Sequence, residues 1–211
     1  MSIHLQKNIP SAGGLGGGSS NAACCLKYLN KAWKINLSDD ELIRLANPTL
    51  GTDTSFFIKG GTAHVTDNGL KVDPIVSPLD LHFVFISPNI TVAKNKTENV
   101  YSHFDLNKKI LVSNIDQMKQ ALIAGDQKTI AHLLYNAFEQ SPPPYYATLP
   151  DEIYALKNAG CLNAIICGAG PTLFGFADSK DQAVRVLNLF AQKNMTGFIA
   201  QSKNATHKDE N

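Results

Sequence analysis

The chain has 211 residues, 44% of them hydrophobic, and 19 basic against 18 acidic side chains give a net charge of +1. That is enough apolar material for one large domain or two small ones. The evenly spread, near-neutral charge argues against the basic stripe of a nucleic-acid or membrane-surface binder, and no apolar run reaches membrane-spanning length.

No basic start followed by an apolar stretch and a small-residue cleavage site is present, so the reading expects a cytoplasmic protein. Four cysteines, Cys24, Cys25, Cys161 and Cys167, form no CxxC and have no histidine at ligand spacing, which argues against a zinc site or a disulfide framework. Buried, reduced thiols are expected, with Cys24 and Cys25 packing as small apolar residues on a helix.

Ile3 and Leu5 alternate with polar neighbours and read as the end of a strand running into Pro10. Five glycines follow, Gly13, Gly14, Gly16, Gly17 and Gly18, then a helix on which Ala22, Leu26, Leu29 and Trp33 share a face, with Ser19 or Ser20 as its cap. A second helix opens at "LSDDEL", where Ser38 and Glu41 make a capping box and Leu37 and Leu42 a hydrophobic staple, and it is expected to stop at Asn47-Pro48. From Phe56 the pattern reads as strands, "FFI", "TAHV" and "LHFVFI", separated by Gly60-Gly61, by the turn Asp67-Asn68-Gly69 and by Pro74.

Helices are expected over Thr97 to Phe104, Ile115 to Ala124 and Thr129 to Glu139, and Pro142-Pro143-Pro144 reads as a rigid turn. The last third reads helix "DEIYALKNAG", strand "NAIIC", loop "GAGP", strand "TLFGF", helix "KDQAVRVLNLFAQ" and strand "GFIA". Such mixing fits an α+β sandwich in which helices cover one face of a mainly antiparallel sheet. A lobe boundary is placed near Pro88, and "QSKNATHKDEN" reads as a polar tail.

Three stretches carry chemistry. Consecutive glycines allow positive φ and let backbone N–H groups approach a ligand, and the following helix adds its positive end, so the run before Ser19-Ser20 reads as a phosphate cradle. No lysine follows the glycines, so the Walker pattern is absent, and Pro10 ends the strand too early for a dinucleotide fingerprint. Asp53 in "TLGTDTSFF" reads equally as a proton acceptor at the edge of a buried strand or as a plain Asx-turn. "CGAGPT" is either a tight turn or a second backbone clamp. His64, His82 and His103 read as packed or surface histidines, and Asn136 and Glu139 in "LYNAFE" as neighbours on a solvated helix.

In this order, "IPSAGGLGGGSSNAA", "LGTDTSFFIKGGTAHV", "NAFE" and "CGAGPTLFGF" resemble the GHMP kinase superfamily over nearly the whole chain. Within it they are most similar to the branch that phosphorylates a cytidine-diphosphate-linked methylerythritol in non-mevalonate isoprenoid biosynthesis. The resemblance implies a ribosomal-protein-S5-like N-terminal lobe over 1–86, truncated at its start, a ferredoxin-like C-terminal lobe over 87–201, and the tail at 202–211. It implies ATP and Mg²⁺ as cofactors and Asp53 as the catalytic base. Pro10, Ser11, Ala12, Gly13, Gly14, Leu15, Gly16, Gly17, Gly18, Ser19 and Ser20 would form the ATP-phosphate loop, with a hydroxyl of Ser19 or Ser20 on Mg²⁺. Gly168, Ala169, Gly170 and Thr172 would shape the substrate side. The implied partner is a small molecule, not nucleic acid or a membrane, with a homodimer left open.

The chain departs from the family at Thr54-Ser55, where Val-Pro is usual, at Leu70, where Glu is common, and around "VAKNKTENVY", beside a usual Ser-Thr signature. The family also carries a strand with a lysine and an asparagine upstream of the phosphate loop. Since the chain begins at Met1 just before that loop, the reading expects that strand and lysine to be missing, and turnover with them. Two alternatives stand beside this one: another kinase of the superfamily, of homoserine or mevalonate type, and a nucleotide-binding chain without turnover. The retained aspartate argues against the homoserine type.

Overall fold

The computed structural model describes residues 2–91, 95–104 and 114–203. They fall into two compact units, one formed by residues 16–79, 122–125 and 202–203, the other by 2–15, 80–121 and 126–201 where described.

The first unit packs α1 (Gly17–Ala32), α2 (Asp39–Leu50) and α3 (Thr52–Lys59) with a hairpin of β1 (Thr62–Thr66) and β2 (Lys71–Ile75). Its core is Ala23, Leu42, Ile43, Ala46, Ile58 and Val72. At the start of α2 the Ser38 side chain accepts from the Glu41 N–H while the Glu41 carboxylate accepts from the Ser38 N–H, and Leu37 packs on the core beside Leu42. Lys27 donates from Nζ to the Ile58 carbonyl at 3.1 Å, placing a cation on the C-terminal end of α3.

The second unit is built on β3 (His82–Ser87), β4 (Asn163–Ile166), β5 (Leu173–Ala177) and β6 (Thr196–Gln201), in the order β4-β5-β3-β6 and antiparallel throughout. Besides α4 (Lys96–Ser102), α5 (Ile115–Ala124) and α6 (Gln127–Leu133), it carries α7 (Leu149–Asn158) before β4 and α8 (Lys180–Ala191) before β6. The succession β3-α7-β4-β5-α8-β6 with that strand order is the split β-α-β arrangement of a ferredoxin-like lobe. Val84, Ile86, Ala164, Ile166 and Leu173 pack with Leu149, Leu156, Val186 and Phe190 into one core. The sheet leaves no room for a side chain at Gly175 or Gly197: a Cβ on the first would lie 2.7 Å from Val84 Cγ1, and one on the second 2.3 Å from the Phe85 carbonyl oxygen.

Several local expectations fail for identifiable reasons. Residues 2–9 form no strand: Ile3 and Leu5 are exposed, and among the described residues no strand pairs with them. α2 runs through Pro48 to Leu50; one intrahelical bond is lost, while Thr49 Oγ1 donates to the Ala46 carbonyl and Asn47 Nδ2 to the Asn68 carbonyl at 2.7 Å. "FFI" is helical, the last turns of α3, because an unbroken apolar run carries no period and packing against α1 and α2 decides. Pro74 lies inside β2, opposite Ala63 in a two-stranded ribbon that tolerates a missing donor. The helix expected over Thr129 to Glu139 ends at Leu133, after which Leu134 is extended and Ala137–Gln140 forms a 3₁₀ turn. Cys161 is buried and its thiol is pushed up to about 11, but Cys24 is exposed. Of the tail, residues 204–211 lie outside the described part of the chain.

Leu156 on α7 is fully buried in the second core. Leu156→Ala removes that packing and is expected to cost about 2–5 kcal/mol, read as a lower midpoint in urea unfolding with the slope unchanged.

Candidate functional site

Two stretches far apart in sequence meet in the second unit. Ala12 adopts φ 59 and Gly14 φ 81, both in the left-handed region. A Cβ on Gly14 would lie 2.0 Å from the Cys167 carbonyl oxygen, and a Cβ on Gly168 would lie 3.1 Å from the Gly14 oxygen. The Thr172 N–H donates to the Gly13 carbonyl at 3.3 Å, and a Cβ on Gly13 would strike Thr172 Oγ1 at 2.6 Å. Gly13, Gly14, Gly168, Gly170 and Thr172, assigned from sequence to separate sides of a site, are thus in backbone contact. Gly13, Gly170 and Thr172 are buried, whereas Pro10, Ser11, Ala12 and Gly168 are exposed.

The 166–170 loop is held from behind by side chains. Asn136 Nδ2 donates to the Ile166 carbonyl at 2.6 Å and to the Gly168 carbonyl at 2.8 Å. Glu139 Oε1 accepts from the Ile166 N–H at 2.7 Å. These two do not ride a solvated helix: the 3₁₀ turn aims both at the end of β4. The Tyr146 hydroxyl donates to the Ala169 carbonyl at 2.8 Å, and burial drives that phenol far above the usual tyrosine range. Lys96 Nζ donates to the Ala12 carbonyl at 2.9 Å and also to the Gly170 carbonyl. Sequence reasoning passed over Tyr146 and Lys96, which stand in no motif; the one signal for Lys96 was its place in "NKTENV", within the stretch where the resemblance breaks.

In the first unit, Gly16 at φ 65 is the N-cap of α1, and no side chain caps the helix. Ser20 Oγ instead donates to the Gly17 carbonyl at 3.0 Å, within the first turn, so neither serine serves as the cap. The first turn of α1 contains no acidic residue. Its leading N–H groups therefore have neither a side-chain cap nor a carboxylate in their own turn. A Cβ on Gly16 would strike the Phe57 ring at 2.7 Å, whereas one on Gly18 would meet nothing within 4 Å.

Asp53 occupies the first turn of α3, not the edge of a strand, and is exposed. It lies one turn before Phe57 on the same face, the face that meets Gly16. The departures Thr54 and Ser55 are fully buried and bonded: Thr54 Oγ1 donates to the Leu50 carbonyl at 3.2 Å, and Ser55 Oγ accepts from Asn47 Nδ2 at 3.5 Å. Leu70 is exposed. Among the described residues no three His, Cys, Asp or Glu side chains gather to hold a metal ion, and no helix is long and apolar enough to cross a membrane.

Residues 1–61 match the family model "GHMP kinases N terminal domain", and residues 118–195 match "GHMP kinases C terminal". A 4-diphosphocytidyl-2-C-methyl-D-erythritol kinase of Bacillus cytotoxicus is 34% identical over 201 residues, which is 95% of this chain and 66% of that protein. The chain thus spans just under two thirds of that curated relative. Among solved structures, a 4-(cytidine 5'-diphospho)-2C-methyl-D-erythritol kinase superposes with a TM-score of 0.73 at 25% identity, over 93% of this chain and 68% of that one. A homoserine kinase from Cytophaga hutchinsonii shares the fold with a TM-score of 0.70 at 19% identity, over 94% of this chain and 68% of that one.

Burial holds the Glu139 carboxyl above the usual glutamate range, against the opposing pull of the Ile166 N–H and of Lys157. Between the ordinary value and the raised one the folded state binds more protons, so this group's contribution to stability falls as pH rises through that window and stays low above it. Glu139→Gln keeps an acceptor for the Ile166 N–H and removes the buried charge. Urea midpoints from about pH 4.5 to about pH 7.5 are expected to fall less in Glu139→Gln than in the unaltered chain, with the variant at least as stable at neutral pH.

Proposed function

Because the chain belongs to the GHMP kinase family, whose N- and C-terminal models it matches in order, we propose that it transfers the γ-phosphoryl group of ATP to a hydroxyl of 4-(cytidine 5'-diphospho)-2-C-methyl-D-erythritol. The observation that carries this reading is the uncapped, glycine-lined start of α1, with Asp53 on the face of α3 that meets it. The name of the relatives at about one third identity directs the choice of acceptor.

In this reading the segment from Gly14 to Ser20 takes the ATP phosphates on backbone N–H groups and on the positive end of α1. Asp53 accepts the proton of the acceptor hydroxyl as that oxygen attacks the γ-phosphorus, and ADP leaves with the electrons of the broken P–O bond. Little covalent chemistry falls to the protein in such a transfer; positioning and charge stabilisation dominate. Magnesium, which travels with the nucleotide, would be held by a Ser19 or Ser20 hydroxyl and would offset phosphate charge. Ser20 fits that role because its Oγ spends its proton on the Gly17 carbonyl and keeps lone pairs. Gly168 to Gly170 and Thr172 shape the acceptor side.

The direct test is ADP release with the cytidyl methylerythritol acceptor against homoserine and mevalonate. Release coupled to the first alone is expected; coupling to another acceptor reassigns the chain within the family, and ATP binding with no release makes it a binding module.

Two substitutions divide the proposed roles. Asp53→Asn keeps shape and loses the proton acceptor, so kcat is expected to drop by about 10²–10⁴-fold with the ATP dissociation constant within twofold. Gly18→Val does the reverse. Open space surrounds that position and valine suits a helix better than glycine, so the melting temperature should hold or rise. ATP affinity should fall by roughly tenfold or more, about 1.4 kcal/mol, because the new side chain stands in the first turn of α1, among the N–H groups proposed to take the phosphates.

A further inference from the structure

The geometry points to Lys96 as a positioning residue that holds the two glycine-rich segments together and lends them a positive charge, by donating from one ammonium to the Ala12 carbonyl on the first segment and the Gly170 carbonyl on the second. This rests on the reading of Ala12 to Ser20 as a phosphate-binding stretch.

Lys96 opens α4 and is only 6% exposed, unusual for a lysine. Its partners lie 84 and 74 positions away in sequence, so the contact is tertiary in origin. Neither ion pair among the described residues involves it. An ammonium taken from water and given, among the described residues, two neutral carbonyls is incompletely compensated, and burial lowers its proton affinity accordingly. A methionine would fill the same volume without that cost. A cation retained there is explained by an anion arriving at the segment it holds, since the chain runs directly from Ala12 through Gly14 to the start of α1.

Backbone strain supports the same assignment. Ala12 at φ 59 is a non-glycine residue in the left-handed region, a conformation that costs about 1 kcal/mol or more. Its carbonyl is the one Lys96 holds, so the bond fixes the peptide that leads into Gly13 and Gly14. Without the cation, two carbonyl oxygens would converge with no donor between them, and their repulsion would part the segments.

The test measures ATP and inorganic tripolyphosphate binding by calorimetry at several salt concentrations, with melting temperatures, for the unaltered chain, Lys96→Met and Lys96→Arg. Lys96→Met is expected to weaken both ligands at least tenfold and to flatten the dependence of log Kd on log salt, the mark of a lost charge. Lys96→Arg, which keeps the charge and several donors, is expected to recover most of the affinity. If Lys96→Met melts lower but binds both ligands within twofold, Lys96 is structural and the proposal fails. It also fails if arginine binds no better than methionine. If the unaltered chain binds neither ligand, the phosphate reading itself falls and this proposal with it. Should Lys96→Met not fold, Lys96→Gln is judged by the same twofold and tenfold limits.

Discussion

The arrangement depends on one close approach, the backbone of Gly14 against the carbonyl of Cys167, where a Cβ would have only 2.0 Å. No side chain fits there, so the contact exists only because both partners present bare backbone. Closing a loop of some 150 residues adds little entropy cost beyond that of a shorter one, about 0.6 kcal/mol per doubling. The expensive part is fixing the two short segments themselves, at about 1–2 kcal/mol of backbone freedom per residue and more for glycine. That cost explains why so many side chains bear on one loop. Asn136, Glu139, Tyr146 and Lys96 each anchor a backbone group between Ile166 and Gly170.

Those anchors also have an electrostatic consequence. The carbonyls of Ile166, Gly168, Ala169 and Gly170 all accept from side chains, and that of Gly13 accepts from the Thr172 N–H. A carbonyl oxygen satisfied by the protein presents less negative potential to its surroundings than a bare one. Glycine alone therefore does not make a loop hospitable to an anion. The pairing of the oxygens sets that potential as well, and here it falls to Asn136, Tyr146, Thr172 and Lys96, one of them a full cation.

This explains what could and could not be read from the sequence. The glycine run, the capping box at Ser38, the strands around Val84 and Leu173 and the two closing helices follow from local pattern, and the structure has them. The helix α1 follows from its apolar spacing, but its start does not: Ser19 and Ser20 look like caps in isolation, yet the helix opens earlier, at Gly17, with Gly16 in the cap position and no side chain closing its end. Asn136 and Glu139 were noticed and misread, because spacing along a helix says nothing about a chain that leaves the helix at Leu134. Nothing in the local pattern shows where Lys96 points beyond its place in a stretch that departs from the family, since its contacts are two carbonyls more than 70 positions away in either direction. Pro48 and "FFI" failed for the opposite reason: strong local preferences were overruled by the packing of α1, α2 and α3 into one core.

The Thr54-Ser55 pair shows how that packing absorbs a departure from family pattern. A valine at position 54 would bury easily. Threonine and serine must instead satisfy a hydroxyl each inside the core, which would cost about 1–3 kcal/mol apiece if left unmet. Both are met by the last turn of α2, through the Leu50 carbonyl and the Asn47 amide. Asn47 in turn reaches the Asn68 carbonyl, so the same amide ties the β1–β2 hairpin to the start of α3. The polar pair thus replaces apolar packing with a bonded corner while α3 still begins directly after Gly51, one residue before Asp53. The helix whose first turn carries the Asp53 carboxylate is secured by hydrogen bonds as well as by packing.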